Sequence, residues 1–152
     1  MALPNVFDKS TAAALVKRIE QLTPQTTPLW GTMAADRMLA HCNVTYEMTY
    51  TDKHPKPGFL MRLMLKWFVK NTVVSEKPYK KNERTAPAFI IAEAKNFEVE
   101  KKRLIEYIWK TQELGSAYFE GKESLSFGKM TATEWNNQFY KHLDHHFRQF
   151  GL

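Results

Sequence analysis

The chain has 152 residues, 43% of them hydrophobic and 25% charged, the mixture of an ordinary globular domain with enough length to bury one real core. Its 22 Lys and Arg outnumber its 16 Asp and Glu, giving a net charge of +6, so an anionic partner is open and the placement of the basic residues matters more than their sum. A lone cysteine, Cys42, excludes an internal disulfide and any Cys-rich zinc knuckle.

Prolines and glycines are dispersed, with no internal repeat and no low-complexity run, so one domain over residues 1–152 is expected. The start, MALPNVFDKS, lacks a basic region followed by a long apolar run, and a cytoplasmic location is expected. The first helix is predicted over residues 10–22, where Ala14, Leu15, Ile19 and Leu22 recur at helical spacing and Asp8 or Ser10 can cap the start. TPQTTPLWG ends it. A second helix follows Thr32 through MAADRMLAHCNVTYEMTY to residue 50. The loop DKHPKPG comes next, and His54 within it reads as a solvated residue.

A third helix is predicted over 59–71, in GFLMRLMLKWFVKN. Arg62, Lys66 and Lys70 fall at i, i+4 and i+8 as a basic stripe beside Phe59, Leu60, Leu63, Met64, Trp67 and Phe68. Lys77, Lys80, Lys81 and Arg84 extend the basic region, against only Glu76 and Glu83. The expectation is a core helix with a wet basic edge, burying Leu63, Trp67 and Phe68 in the bundle or in a homodimer contact. The rival is a contact with an anionic partner or membrane surface. Charges at every turn exclude a transmembrane span.

SEKPYKKNERTAPAF is polar and irregular. A fourth helix is predicted over 97–114, with Leu104, Ile105 and Ile108 inward and Gly115 as its stop. The fifth starts at Thr131, which forms a capping box with Glu134 directly ahead of Trp135, and ends at Gly151. Amphipathic helices with little strand signal predict an all-α antiparallel bundle, the kind of fold that places metals in its interior.

The last helix carries three of the five histidines, in YKHLDHHFRQFGL. Counting about 100° per residue from Trp135, His142 falls at about 340° and His146 at about 20°, within the apolar stripe of Phe139, Leu143 and Phe150. His145 falls on the flank at about 280° and Asp144 faces away at about 180°. An i, i+4 histidine pair can present two nitrogens to one metal, but a third ligand must come from elsewhere. His41, in MLAHC on the second helix, is the candidate. Three neutral imidazoles would leave an open coordination position, as in a catalytic divalent site. The competing reading is core histidines hydrogen-bonded to backbone carbonyls. Cys42 points about 100° away from His41 and reads as a buried core thiol. Glu47 and Asp36 are read as facing outward, so no acid/base residue stands out; Thr45, Tyr46 and Gln149 remain candidates for orienting a ligand.

PLWGTMAADRMLAHC together with SFGKMTATEWNNQFYKHLDHHFRQFG resembles the DinB-like superfamily of metal-binding four-helix bundles, within a branch of unknown function. The resemblance implies a DinB-like antiparallel four-helix bundle with an additional short helix, and one divalent ion, zinc or nickel, held by His41, His142 and His146. His145 and Gln149 also occupy family positions, whereas Arg148 stands where many relatives have glycine. Relatives include thiol-cofactor transferases, so the resemblance leans to a metal-dependent transferase or hydrolase with a small-molecule partner such as a thiol, and no nucleic-acid substrate. The alternative is a non-catalytic or stress-associated protein with a structural or vestigial metal, whose basic helix carries an interaction.

Overall fold

A computed structural model describes residues 2–152. The chain is mostly helical, with α1 (Lys9–Glu20), α2 (Ala35–Tyr50), α3 (Phe59–Met64), α4 (Lys70–Val74), α5 (Phe97–Phe119) and α6 (Ala132–Gln149). A π turn, Leu65–Val69, joins α3 to α4, and a 3-10 turn, Pro87–Phe89, interrupts the irregular segment before α5. Two short strands the sequence did not announce, β1 (Glu123–Ser124) and β2 (Gly128–Lys129), pair antiparallel between α5 and α6. Among the described residues no helix is long and apolar enough to cross a membrane.

The four longer helices, α1, α2, α5 and α6, pack on one another. Each turns its apolar positions to one shared cluster that includes Leu15, Ile19, Met38, Leu104, Ile108, Trp135, Phe139 and Leu143, all buried. Each large side chain so buried contributes about 1.5–3 kcal/mol relative to exposure. A file of rings runs through this core: Tyr46 stacks on Phe139 at 4.9 Å and on Tyr107 at 5.4 Å between centroids, and Phe119 packs against Trp135 at 5.5 Å. Phe119 reaches that position because Gly115, at φ 71°, kinks the helix and lets the chain resume turning beyond it. The expected stop at Gly115 is met: its φ of 71° and ψ of 170° are non-helical, and a short helical segment over 116–119 follows the break. At α6 the capping box forms as read: Thr131 Oγ1 accepts from Glu134 N at 3.2 Å, and Glu134 Oε2 accepts from Thr131 N at 2.9 Å.

Expectations for two regions are corrected by the packing. Glu47 is buried, not outward: it accepts from Lys53 Nζ at 2.9 Å and pairs with Arg103 of α5. His54, read as solvated, turns back to place Nε2 2.8 Å from the second Glu47 oxygen. Burial alone would raise the Glu47 carboxyl, but hydrogen bonds from Arg103, Lys53 and His54 hold it down to about 2. Neighbouring Asn43 donates to Glu100 Oε2 at 2.8 Å, so polar contacts tie α2 to α5 beside the apolar core.

The second correction concerns residues 59–74. Trp67 and Phe68, expected to be buried in the bundle or in a homodimer contact, are 69% and 75% exposed on the single chain, so the bundle does not bury them, and Leu63 is only half-buried. The basic side faces the body instead, with Arg62 bonded to Glu123 at 2.9 Å and Lys70 paired with Glu134 at 2.8 Å. Of the three stripe cations only Lys66 is exposed. The physical reason is that Glu123 and Glu134, on β1 and in the first turn of α6, lie where the helix docks and draw its cations inward; only Leu65, Val73 and Val74 of this stretch reach the core.

Candidate metal centre

Two helices supply the centre. On α2, His41 sits one turn after Arg37 and one turn before Thr45, and on α6 the i, i+4 spacing puts His142 and His146 on one face. Packing α2 against α6 brings the three rings together: centroids lie 4.9 Å apart for His41 and His142, 4.5 Å for His41 and His146, and 4.9 Å for His142 and His146. One ring nitrogen from each lies within 4.8 Å of the others, so the cluster can hold a metal ion. His41 and His146 are buried and His142 is half-buried.

The hydrogen bonds around the cluster decide which nitrogen each ring offers. His41 Nδ1 lies 2.8 Å from the Phe89 carbonyl oxygen, which can only accept, so the proton sits on Nδ1 and the Nε2 lone pair is free. Gln149 Nε2 donates to the Trp30 carbonyl at 2.9 Å, which turns Gln149 Oε1 toward His146 Nδ1, also at 2.9 Å. His146 therefore donates from Nδ1 and likewise presents Nε2. His142 Nδ1 meets the Thr45 hydroxyl at 3.0 Å. Each imidazole is thus held from behind through Nδ1, the pattern that orients metal-bound histidines.

His142 Nε2 stands 2.9 Å from His41 Nε2. Since His41 Nε2 carries no proton, His142 Nε2 donates in this contact, and the Thr45 hydroxyl donates to His142 Nδ1. To offer its own Nε2 lone pair, His142 must carry its proton on Nδ1, with the Thr45 hydroxyl turned to accept. Bonds of about 2.0–2.1 Å to one ion put two nitrogens roughly 3.0–3.4 Å apart, so the spacing observed here fits a shared ion after a small adjustment. Charge fits too. Burial pushes His146 down to about 3, and burial followed by repulsion from the neighbouring imidazoles holds His142 well below the ordinary histidine value. Burial also lowers His41. All three are neutral at physiological pH, as a ligand must be.

Other residues fall outside the cluster. Cys42 is buried, with Sγ 3.7 Å from Met38 Sδ, and burial pushes its thiol well up, so it is an inert core group. Asp144 turns toward α1 and bonds Arg18 at 2.8 Å, while Arg148 is exposed beside it. Asp36 caps the chain ahead of α5 by accepting from Lys95 N at 2.7 Å. His145 packs edge-on between Trp30 and Tyr79, with centroids 5.9 Å and 5.6 Å away, and lines a cavity of about 170 Å³ with Lys141 and Tyr140. Tyr46 belongs to the ring stack of the core.

Sequence reasoning missed the main-chain partners, the carbonyls of Phe89 and Trp30, because no side-chain pattern marks a carbonyl. Thr45, Tyr46 and Gln149 are legible in the sequence only as candidates for orienting a ligand, without a choice among them; packing sets Thr45 and Gln149 against the Nδ1 atoms of His142 and His146. Gly31 also belongs to the support. Its φ is 75°, and a Cβ at this position would stand only 3.0 Å from Gln149 Nε2, so the glycine leaves room for the amide that reaches Trp30.

No curated protein and no solved structure matches the chain. A family described as a protein of unknown function, DUF1569, matches residues 6–151, a span that holds all three clustered histidines and the segments that orient them. With nearly its whole length matched, the chain belongs to the DUF1569 family.

Proposed function

We propose that this is a DinB-like protein that binds one divalent ion, zinc or nickel, through the Nε2 atoms of His41, His142 and His146, and that it works as a metal-dependent transferase or hydrolase on a small molecule such as a thiol. In this reading α1, α2, α5 and α6 are the four helices of an antiparallel bundle in a single domain, and residues 59–74 are its additional short helix. The observation that carries the metal is the convergence of three ring nitrogens within 4.8 Å, each ring held from behind at Nδ1. The lean to an enzyme rests on the ligand count, since three protein donors leave a position for water or substrate. The thiol rests on the resemblance of the two histidine-bearing segments.

A divalent ion bound there would lower the pKa of a thiol or water and supply a nucleophile near neutral pH. The chain's own part is orientation and desolvation. Phe89, Thr45 and Gln149 fix the ring planes, and the Phe89 ring, edge-on to His142 at 5.7 Å, covers one side of the cluster.

The test is elemental analysis of protein purified without a nickel column, because such resin can load a vacant histidine site. About one equivalent of zinc or nickel per chain is expected. Folded protein that carries no metal and takes none up on titration with Zn²⁺ would overturn the proposal.

A further inference from the structure

Residues 59–69 form an inside-out helix. Their charged side is bound to the body through Arg62 to Glu123 and, one residue beyond, Lys70 to Glu134, and the apolar side is presented outward. Phe59, Leu60, Met61, Met64, Trp67 and Phe68 are all more than half exposed. An α-helix would hold residues eight apart about 80° from each other. The π turn Leu65–Val69 adds one residue to the winding, which lets Arg62 and Lys70 both reach acids of the body while Trp67 and Phe68 between them stay outside.

The size of this face is informative. Aromatic side chains present about 150–250 Å² each, and with the leucine and methionines the exposed apolar surface is on the order of 800–1,000 Å², more than the largest patch of a typical monomer. Charge identifies what covers it. Nine of the 22 Lys and Arg but only two of the 16 Asp and Glu lie within 53–84, so that segment carries +7 and the rest of the chain −1. Lys66, Lys77, Lys80, Lys81 and Arg84 are exposed. A second copy would bring two such segments together and set like charges against each other. Nucleic acid would satisfy the cations and leave Leu60, Met61 and Met64 without an apolar partner. An anionic bilayer surface offers both phosphate charge and an acyl boundary for aromatic and aliphatic side chains.

We infer that residues 59–69 dock the protein peripherally onto an anionic lipid bilayer, with Trp67, Phe68 and Leu60 entering the headgroup–acyl boundary and the exposed Lys66, Lys77, Lys80, Lys81 and Arg84 meeting lipid phosphates. The surface lies outside the histidine cluster, so docking does not depend on bound metal.

Vesicle co-sedimentation of the full chain tests this, with phosphatidylcholine vesicles with and without about 30% phosphatidylglycerol. Binding to the anionic vesicles is expected to be at least roughly tenfold stronger and to weaken with salt. Replacing Trp67→Ser and Phe68→Ser together should abolish most of it with helix content by circular dichroism unchanged, since both side chains are exposed. The charge variant Lys66→Glu, Lys77→Glu, Lys80→Glu should lose the preference for anionic vesicles. Equal binding to both vesicle types, no binding to either, or undiminished binding by the Trp67, Phe68 variant would overturn the proposal. So would a wild-type dimer, by sedimentation velocity, that the same variant converts to monomer without any vesicle binding in either form; the face would then be a self-association surface.

Discussion

At the scale of single residues, the three clustered histidines of α6 divide into two kinds. His142 and His146 join His41, whereas His145 sits between the rings of Trp30 and Tyr79. On the proposed reading, replacing His41, His142 or His146 by Ala removes one of three ligands and should cost most of the bound metal, while His145→Ala should stay near wild type. Elemental analysis beside circular dichroism checks this, and equal loss in all four variants would contradict the division. Gln149 acts through His146, holding its Nδ1 and so aiming its Nε2. Gln149→Ala should weaken metal binding by about 10–100-fold in a competition against a chromophoric chelator. Gln149→Glu keeps an acceptor for His146 but loses the donor to Trp30, and is expected to fall between the two.

At the scale of elements, Glu47 links α2 to α5 and to the loop after α2 through Arg103, Lys53 and His54. Its carboxyl is held down to about 2. A carboxyl depressed in the folded state contributes stability above its unfolded value, about 4.3, and loses it as pH falls toward the folded one. The stability gap between wild type and Glu47→Gln should therefore be largest at neutral pH and close as pH falls from about 4.3 to about 2. Urea denaturation at a series of pH values reads it. Taking the difference between the two proteins cancels the titration of the clustered histidines, which both share. A gap that does not change over this window would mean that the buried carboxylate is not held by its three partners.

For the whole molecule, a ligand that joins α2 to α6 adds its binding energy to folding. An ion present at about a hundred times its dissociation constant stabilises the folded state by about 2.7 kcal/mol, and at a thousand times by about 4.1 kcal/mol. In a chain of this length 1 kcal/mol raises Tm by roughly 2–4 °C, or a little more. Zinc- or nickel-loaded protein should thus unfold several degrees above chelator-treated protein in calorimetry. The His146→Ala variant should show little difference between the two states. The apolar cluster and the ring stack do not involve the ion, so the metal-free chain is expected to stay folded.

Much of this protein was legible in the sequence because local rules govern it. The capping box of Thr131 and Glu134 places the start of α6, and the 3.6-residue period then fixes His142 and His146 on one face and His145 on the flank. The helical class follows from the same periodicity. Other features needed the tertiary structure, since they depend on residues far apart in the chain. The amphipathic pattern of 59–71 predicts that one side faces the body but does not say which, and Glu123 and Glu134, more than 50 positions away, draw the cations inward. Glu47 looked outward on its own helix, and its burial goes with Arg103 arriving from α5 and with Lys53 and His54 folding back from the following loop to pair with it. The roles of the ring nitrogens depend on the carbonyls of Phe89 and Trp30, which the fold alone carries to His41 and Gln149. Local sequence determined which side chains share a helix face; packing decided which partner each one meets.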